Sequence, residues 1–160
     1  MNFIKIFKAN YPYIAGLLII FFLDRYSKII AIDILSNRKN IYINDYLNLD
    51  LVFNTGIGFG LLSFNENFYY NLITILILII IIIIGFLTFK SKTKEKLFFT
   101  FILGGAIGNV YDRITFKAVP DFIDLHIGNF HWFSFNIADI FITLGIIFMI
   151  LTEFTAKEKK

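Results

Sequence analysis

Three aspartates stand inside or at the end of long apolar segments, where an ionisable side chain is costly and usually functional. They are Asp24, Asp112 and Asp139. With a helical rise of about 1.5 Å per residue, each lies roughly 21–22 Å from the cytoplasmic end predicted for its segment, in the outer part of a hydrocarbon core about 30 Å thick. Two carboxyl groups held together in such surroundings do not both ionise easily, so one keeps a proton while the other accepts one. This arrangement suits the activation of water for peptide hydrolysis without a metal.

Two of these aspartates also have a structural interpretation. Asp24 and Lys28 are four residues apart and can pair on one face of a helix. Asp112 is followed by Arg113, and this pair could mark the end of a membrane span near the headgroups. Both interpretations stay open. Asp139 has no basic residue within four positions and begins a long apolar segment, which favours a functional role.

Other catalytic and cofactor patterns are absent from the sequence. The chain has no cysteine, which excludes disulfides and thiolate metal sites. His126 and His131 do not form the H-E-x-x-H pattern of metalloproteases and are expected at the surface or at the membrane interface. The glycines at 56, 58 and 60 resemble a phosphate loop, but no Lys-Ser or Lys-Thr follows them. The net charge is only +3 without a basic block, so nucleic-acid binding is not expected, and we predict no metal and no cofactor.

The composition is that of a polytopic membrane protein. Apolar residues make up 58% and charged residues 17% of the 160 residues, against about 45–50% and 25% in soluble domains. We therefore predict one membrane domain over residues 1–160, an all-α fold with four transmembrane helices. The predicted spans are residues 10–33, 67–89, 97–113 and 133–154, joined by outer segments 34–66 and 114–132. The second span carries no charge, which favours a scaffold role.

Basic residues flanking the spans predict the orientation of the chain. The side of the two termini holds Lys5, Lys8, Lys90, Lys92, Lys94, Lys96, Lys157, Lys159 and Lys160. The opposite side holds Arg38, Lys39, Arg113 and Lys117. Because the more basic flanks stay in the cytoplasm, both termini are predicted to be cytoplasmic.

The outer segments are predicted to hold a small β-sheet on the extracytoplasmic surface. Apolar residues at every second position indicate a strand with one apolar face, expected to contact lipid or the helices. They are Leu47, Leu49, Leu51 and Phe53. A turn-rich stretch with several glycines follows from Asn54. Residues 115–132 are expected to form a second outward loop that contains Pro120 and Asp121.

Five segments together resemble the prolipoprotein signal peptidase family, also called signal peptidase II, which comprises bacterial intramembrane aspartyl peptidases. They occur in the order and with the spacing of that family, between residues 24 and 139. They are Asp24-Arg25-Tyr26-Ser27-Lys28, Asn54-Thr55-Gly56-Ile57-Gly58-Phe59-Gly60, Gly104-Gly105-Ala106-Ile107-Gly108-Asn109-Val110-Tyr111-Asp112-Arg113, Val119-Pro120-Asp121-Phe122-Ile123 and Phe135-Asn136-Ile137-Ala138-Asp139. Pro120 departs from the aliphatic residue expected at its position.

The resemblance implies a four-span peptidase of the bacterial cytoplasmic membrane, with its active site near the outer leaflet. The implied partners are membrane lipid and the substrate, a prolipoprotein that carries diacylglycerol on its lipobox cysteine and is cleaved before that cysteine. By matching motif, Asp121 and Asp139 are the implied catalytic pair. The residues implied to bind substrate or to support the site are Asn54, Gly56, Asn109, Arg113, Asn136, Asp24, Lys28 and Asp112.

A small transporter or ion-binding membrane protein is the alternative, since it would also explain ionisable residues within the spans. It would leave Asp121 and the glycine-rich outer stretch without a role. No inverted repeat, a frequent mark of transporters, is visible in the sequence. Peptide cleavage against ion flux, measured with the same purified protein in liposomes, separates the two hypotheses.

Overall fold

The computed structural model describes residues 3–37, 40–56 and 67–157. Within these residues the chain forms four long helices and four strands. In chain order they are α1 (Phe3–Leu35), β1 (Ile41–Asn44), β2 (Leu47–Asn54), α2 (Asn67–Lys90), α3 (Thr93–Phe116), β3 (Val119–Ile127), β4 (Phe130–Phe135) and α4 (Ile137–Lys157). A mainly helical fold with a small antiparallel sheet is confirmed. Arg38, Lys39 and the glycines at 58 and 60 lie outside the described residues.

Two helical stretches in the described part of the chain are long and apolar enough to cross a membrane. They are Tyr70–Lys90 of α2 and Ile137–Thr155 of α4. The helices carry large apolar side chains on their outer surface, for example Phe22 of α1 and Ile82 of α2. Such extensive exposed apolar surface is unusual for a soluble monomer and is suited to contact with lipid.

Helix α3 lies at the centre of the bundle and packs against the other three helices. Glycines on its surface make this close packing possible. A Cβ atom at Gly105 would lie 2.4 Å from the backbone oxygen of Ala138 in α4. A Cβ atom at Gly108 would lie 2.6 Å from Oδ2 of Asp24 in α1. The sequence of α3 therefore brings the beginning of α4 and the charged part of α1 directly against its backbone.

The four strands form one antiparallel sheet in the order β1-β2-β3-β4. Leu49 and Leu51 of β2 pack against a small core that includes Ala31 and Leu35 of α1, so this part of the predicted apolar face does contact the helices. Phe53 is 53% exposed and does not contact the helices in this way, so lipid contact stays a prediction for this residue. The pairing of β2 with β3 shifts register between residues 49 and 52, and such a bulge redirects the side chains that follow it.

The second outward segment is not the loop expected from sequence, because β3 and β4 occupy most of it. Its polar residues Asp121, Asp124 and His126 are buried, so the strand lacks the alternation of apolar and polar residues that identifies strands from sequence. Pro120 lies in the part of β3 that pairs with β2, whereas pairing with β4 begins at Ile123. A proline is tolerated where one side of a strand has no partner.

Helix α4 begins at Ile137 rather than at Phe133, where the fourth span was expected to begin. Residues Phe133 and Phe135 belong to β4 and pair with Leu125 and Ile123 of β3. The strand therefore continues almost to the helix, with Asn136 alone between them.

Candidate active site

The fold brings Asp121 and Asp139, 18 residues apart in sequence, to the wall of one cavity. Asp121 lies on β3 and is 2% exposed, while Asp139 lies in the first turn of α4 and is 7% exposed. Asn136 stands between them. Its Nδ2 donates to Oδ1 of Asp121 over 2.6 Å, and its backbone N–H donates to Oδ2 of Asp139 over 3.3 Å. The two carboxyl groups are thus held by one residue at the junction of β4 and α4.

Both oxygens of Asp121 accept a hydrogen bond from a neutral amide. Asn136 contacts Oδ1, and Nδ2 of Asn54, at the end of β2, donates to Oδ2 over 2.9 Å. Asn54 is fixed in turn because its Oδ1 accepts the backbone N–H of Gly56 over 2.8 Å. The turn after β2 therefore orients the amide that holds Asp121.

Asp139 is held by the start of its own helix and by α3. Asn136 is the N-cap of α4: its Oδ1 accepts the backbone N–H of Asp139 over 3.1 Å, while Asp139 accepts the backbone N–H of Asn136. This reciprocal arrangement is a capping box. From α3, Nδ2 of Asn109 donates to Oδ1 of Asp139 over 2.8 Å. The positive end of the α4 dipole lies beside this carboxyl group.

Burial, and after it the nearby negative charge of Asp139, raise the pKa of Asp121 from 3.8 to about 7. The hydrogen bonds from Asn54 and Asn136 and the positive charge of Lys28 act in the opposite direction. Near neutral pH Asp121 is therefore close to half protonated. A pair of carboxyl groups in this condition can hold a proton on one side and accept one on the other.

Arg113 of α3 reaches the same cavity and is almost completely buried. Its Nη2 donates to the backbone oxygen of Gly56, and its guanidinium lies 5.5 Å from the ring centroid of Tyr70 in α2. Its Nε and Nη1 have no hydrogen-bond partner among the residues that the structure describes. Arg113 thus offers two free donors beside the paired aspartates.

Asp24, Lys28 and Asp112 form a separate cluster between α1 and α3, and each is 0% exposed. Nζ of Lys28 lies 2.8 Å from Oδ2 of Asp24 and 2.7 Å from Oδ2 of Asp112. Arg25 pairs with the other oxygen of Asp112. Oδ1 of Asp24 accepts the backbone N–H of Ala138 over 2.9 Å. Two acids and two bases therefore neutralise one another and connect three helices, without contacting the paired aspartates directly.

The cavity has a volume of about 610 Å³ and lies between α2, α3 and α4. Its polar end is formed by Asn54, Asn109, Arg113, Asp121 and Asp139. The α2 wall consists of apolar side chains, namely Ile77, Ile80, Ile81, Ile84 and Leu87. A mostly apolar cavity with a few converging polar groups is the usual form of a binding site for a hydrophobic ligand.

Sequence reasoning missed the contribution of α2, for which only a scaffold role was expected. Its cavity-facing residues have helical spacing, but the neighbouring positions are also Ile and Leu, so no amphipathic pattern distinguishes the face. The start of α4 did leave a signal in the sequence. Asn136 followed three residues later by Asp139 is a helix-capping pattern that points to a helix beginning at Ile137.

The two histidines lie outside this cavity, on β3 and β4. His126 is not at the surface, because its side chain is buried beside Asp124; its location at the membrane interface stays a prediction. His131 is exposed as expected, and its Nδ1 lies 2.7 Å from Oδ2 of Asp124. In the described part of the chain, no three histidine, aspartate or glutamate side chains are grouped so that they could hold a metal ion.

The fold and the site define a class of helical bacterial membrane enzymes. The chain is similar to two solved structures described as bacterial membrane enzymes and determined by the in meso method. The 2.3 Å structure has a TM-score of 0.79 and 26% identity, covering 93% of this chain and 91% of the other. The 1.9 Å structure has a TM-score of 0.68 and 27% identity, covering 88% and 91%.

Within that class, the chain belongs to the signal peptidase II family, whose model matches residues 16–155. It is 47% identical to the lipoprotein signal peptidase of Pelagibacter ubique over 162 residues, which cover 100% of this chain and 97% of that protein. It is 37% identical to the lipoprotein signal peptidase of Francisella tularensis subsp. novicida over 140 residues, covering 85% and 87%. The family expected from the five sequence segments is confirmed.

Proposed function

We propose that this protein removes signal peptides from diacylglyceryl-modified prolipoproteins by cleaving before the lipidated cysteine, with Asp121 and Asp139 as the catalytic pair. Signal peptidase II activity is the activity of its family, which is a family of aspartic endopeptidases. The observation that carries the assignment of the pair is Asn136, which contacts both carboxyl groups at the polar end of an apolar cavity.

The chemistry follows from one proton shared by two carboxyl groups. The ionised carboxylate accepts a proton from water as the water oxygen attacks the scissile carbonyl carbon, and the protonated carboxyl donates to the carbonyl oxygen. Collapse of the tetrahedral intermediate breaks the C–N bond, and the amine leaves with a proton from the pair. The near-neutral pKa of Asp121 supports this cycle at physiological pH.

Substrate binding has two components in this proposal. The apolar wall from α2, α3 and α4 contacts the hydrophobic part of the substrate. The free Nε and Nη1 donors of Arg113 bind a backbone carbonyl of the substrate near the cleavage site, which orients the peptide across the two aspartates. Gly56, Asn54 and Asn109 support the site through the hydrogen bonds that hold Arg113 and the pair.

We also propose four membrane spans in one domain, with cytoplasmic termini and the sheet at the outer surface of the cytoplasmic membrane. Because the charges of α1 and α3 neutralise one another inside the bundle, they do not prevent these helices from spanning. Aromatic residues that favour membrane interfaces are exposed on the sheet, namely Tyr42, Tyr46, Phe130 and Trp132. This orientation places the aspartates near the outer leaflet, with lipid and the lipidated substrate as partners.

The test is cleavage of a diacylated prolipoprotein by the purified protein, with the product read by mass. Asp121→Asn and Asp139→Asn should each reduce turnover by about 10³-fold or more, and the double variant should be little worse because the two residues act as a unit. Asp33→Asn, at an exposed position of α1, is the matched control and should keep wild-type turnover. Substantial cleavage by either variant of the pair would contradict the catalytic assignment. Ion flux without cleavage would instead favour a transporter.

A further inference from the structure

Lys28 makes one contact that its ion pairs do not require. Its ammonium group has three donors, and two of them contact the carboxylates of Asp24 and Asp112. The third donates to the neutral side-chain oxygen of Asn109 over 2.8 Å. Because Lys28 is completely buried, all three donors are satisfied within the protein, and the third connects the charged cluster to the active site.

This contact decides which way the amide of Asn109 points. An ammonium group can only donate, so Oδ1 of Asn109 must face Lys28 and Nδ2 must face away from it. Nδ2 then donates to Oδ1 of Asp139 over 2.8 Å. If the amide of Asn109 were reversed, its Nδ2 donor would face the ammonium donors of Lys28. Its Oδ1 acceptor would then face the ionised carboxylate of Asp139, so neither hydrogen bond could form. The amide therefore has one stable orientation as long as Lys28 is present.

We propose that Lys28 is a positioning residue for peptide hydrolysis: it fixes Asn109 as a hydrogen-bond donor to Asp139. This inference rests on the proposed catalytic role of Asp139. It differs from a purely structural role, in which Lys28 would serve only as the counter-charge of Asp24 and Asp112. A variant that keeps the charges balanced but removes the hydrogen-bond donor to Asn109 distinguishes the positioning role from the structural role.

The double variant Asp24→Asn/Lys28→Met makes that separation. It removes one negative and one positive charge together, so no unpaired ion remains from the Asp24–Lys28 pair, while the Arg25–Asp112 pair stays in place. We expect the variant to fold, to keep KM within about threefold and to lose about 10- to 100-fold in kcat, because a small misplacement of a catalytic group has an effect of that size. Full wild-type kcat in the folded variant would overturn the proposal.

A mutant cycle tests whether the effect passes through Asn109. In an Asn109→Ala background, Asp24→Asn/Lys28→Met should reduce kcat by less than about threefold further, because coupled residues are not additive. Effects that multiply fully would contradict the proposal. If the double variant does not fold, Lys28→Arg is the second test. It keeps the charge but cannot place its donors as an ammonium does, so reduced kcat is expected in the folded variant, and unchanged kcat would overturn the inference.

Failure of the positioning role of Lys28 can be distinguished from failure of the proposed function. Cleavage that survives Asp121→Asn or Asp139→Asn would reject the catalytic pair itself. Loss of cleavage in those variants, with normal kcat in the Lys28 variants, would reject the positioning role alone.

Discussion

Two groups of buried acids lie close together in this protein, but their surroundings differ. Asp24 and Asp112, between α1 and α3, contact the cations Lys28 and Arg25. Asp121 and Asp139, at the cavity, accept hydrogen bonds from asparagine side chains and a backbone amide, and neither forms an ion pair within the described residues. The first group is neutralised and connects helices. The second has no cation in direct contact, which lets one of its carboxyl groups keep a proton and so favours proton transfer.

The comparison predicts opposite effects on stability for the same substitution. Asp112→Asn leaves Lys28 and Arg25 with too little negative charge in a buried position, which should reduce the free energy of unfolding by about 3–5 kcal/mol. Asp121→Asn removes a carboxyl group whose charge is unfavourable where it lies, so the protein should be at least as stable as the wild type at neutral pH. Thermal unfolding of both variants in the same detergent measures the difference. Equal destabilisation would remove the distinction between the two groups.

The two groups of acids are connected through the close contact of α3 with α4. A substitution at this contact can disrupt it without changing any of the acids. Gly105→Val would force α4 away, since even a Cβ atom at Gly105 lies 2.4 Å from the backbone oxygen of Ala138. The hydrogen bonds from Ala138 to Asp24 and from Asn109 to Asp139 should then weaken together. We expect cleavage to fall at least about tenfold, with lower thermal stability.

Gly85→Ala is the matched control for this prediction, because a Cβ atom at Gly85 would have no atom within 4 Å. Its turnover and unfolding temperature should stay near the wild-type values. Normal cleavage by Gly105→Val would show that the active site does not depend on this helix contact.

A smaller effect is expected on the pH dependence of stability. The pKa of Asp121 is about 7 in the folded protein against 3.8 unfolded, so the unfolded state loses its proton first as the pH rises. The contribution of the Asp121 carboxyl group to the free energy of unfolding is therefore fully present below pH 4 and is lost as the pH rises through 7. Asp121→Asn should therefore match the wild type at pH 4 and become more stable by roughly 2–4 kcal/mol above pH 7. Parallel stability curves for the two proteins between pH 4 and 8 would contradict this.

The helices and the residues of the site could be predicted from sequence to different degrees. α2 is visible as an uncharged run of Ile and Leu, and the pairing of Asp24 with Lys28 follows from their helical spacing. The catalytic role proposed for Asp121 depended on the resemblance to a family, since a single aspartate beside a proline indicates no particular chemistry. How Asn136 contacts both aspartates depends on where β4 ends and α4 begins, whereas the sequence placed the start of the fourth span at Phe133.

The strands were harder to predict for a physical reason. β3 buries polar residues that are satisfied by other parts of the protein, as Asp121 is by Asn54 and Asn136. Such a strand does not show the apolar periodicity on which prediction relies. The bulge in β2 likewise could not be predicted, because register depends on the partner strand.

The most direct test of the account is titration of the Asp121 carboxyl group by NMR of selectively labelled protein in detergent, in the wild type and in Asp139→Asn. We predict that Asp121 titrates near pH 7 in the wild type. In Asp139→Asn its pKa should fall, because the negative charge that raises it has been removed, but burial should keep it above 3.8. A wild-type carboxyl group that titrates near pH 4, or one that does not respond to Asp139→Asn, would contradict the claim that the two buried aspartates act as a coupled pair that shares one proton.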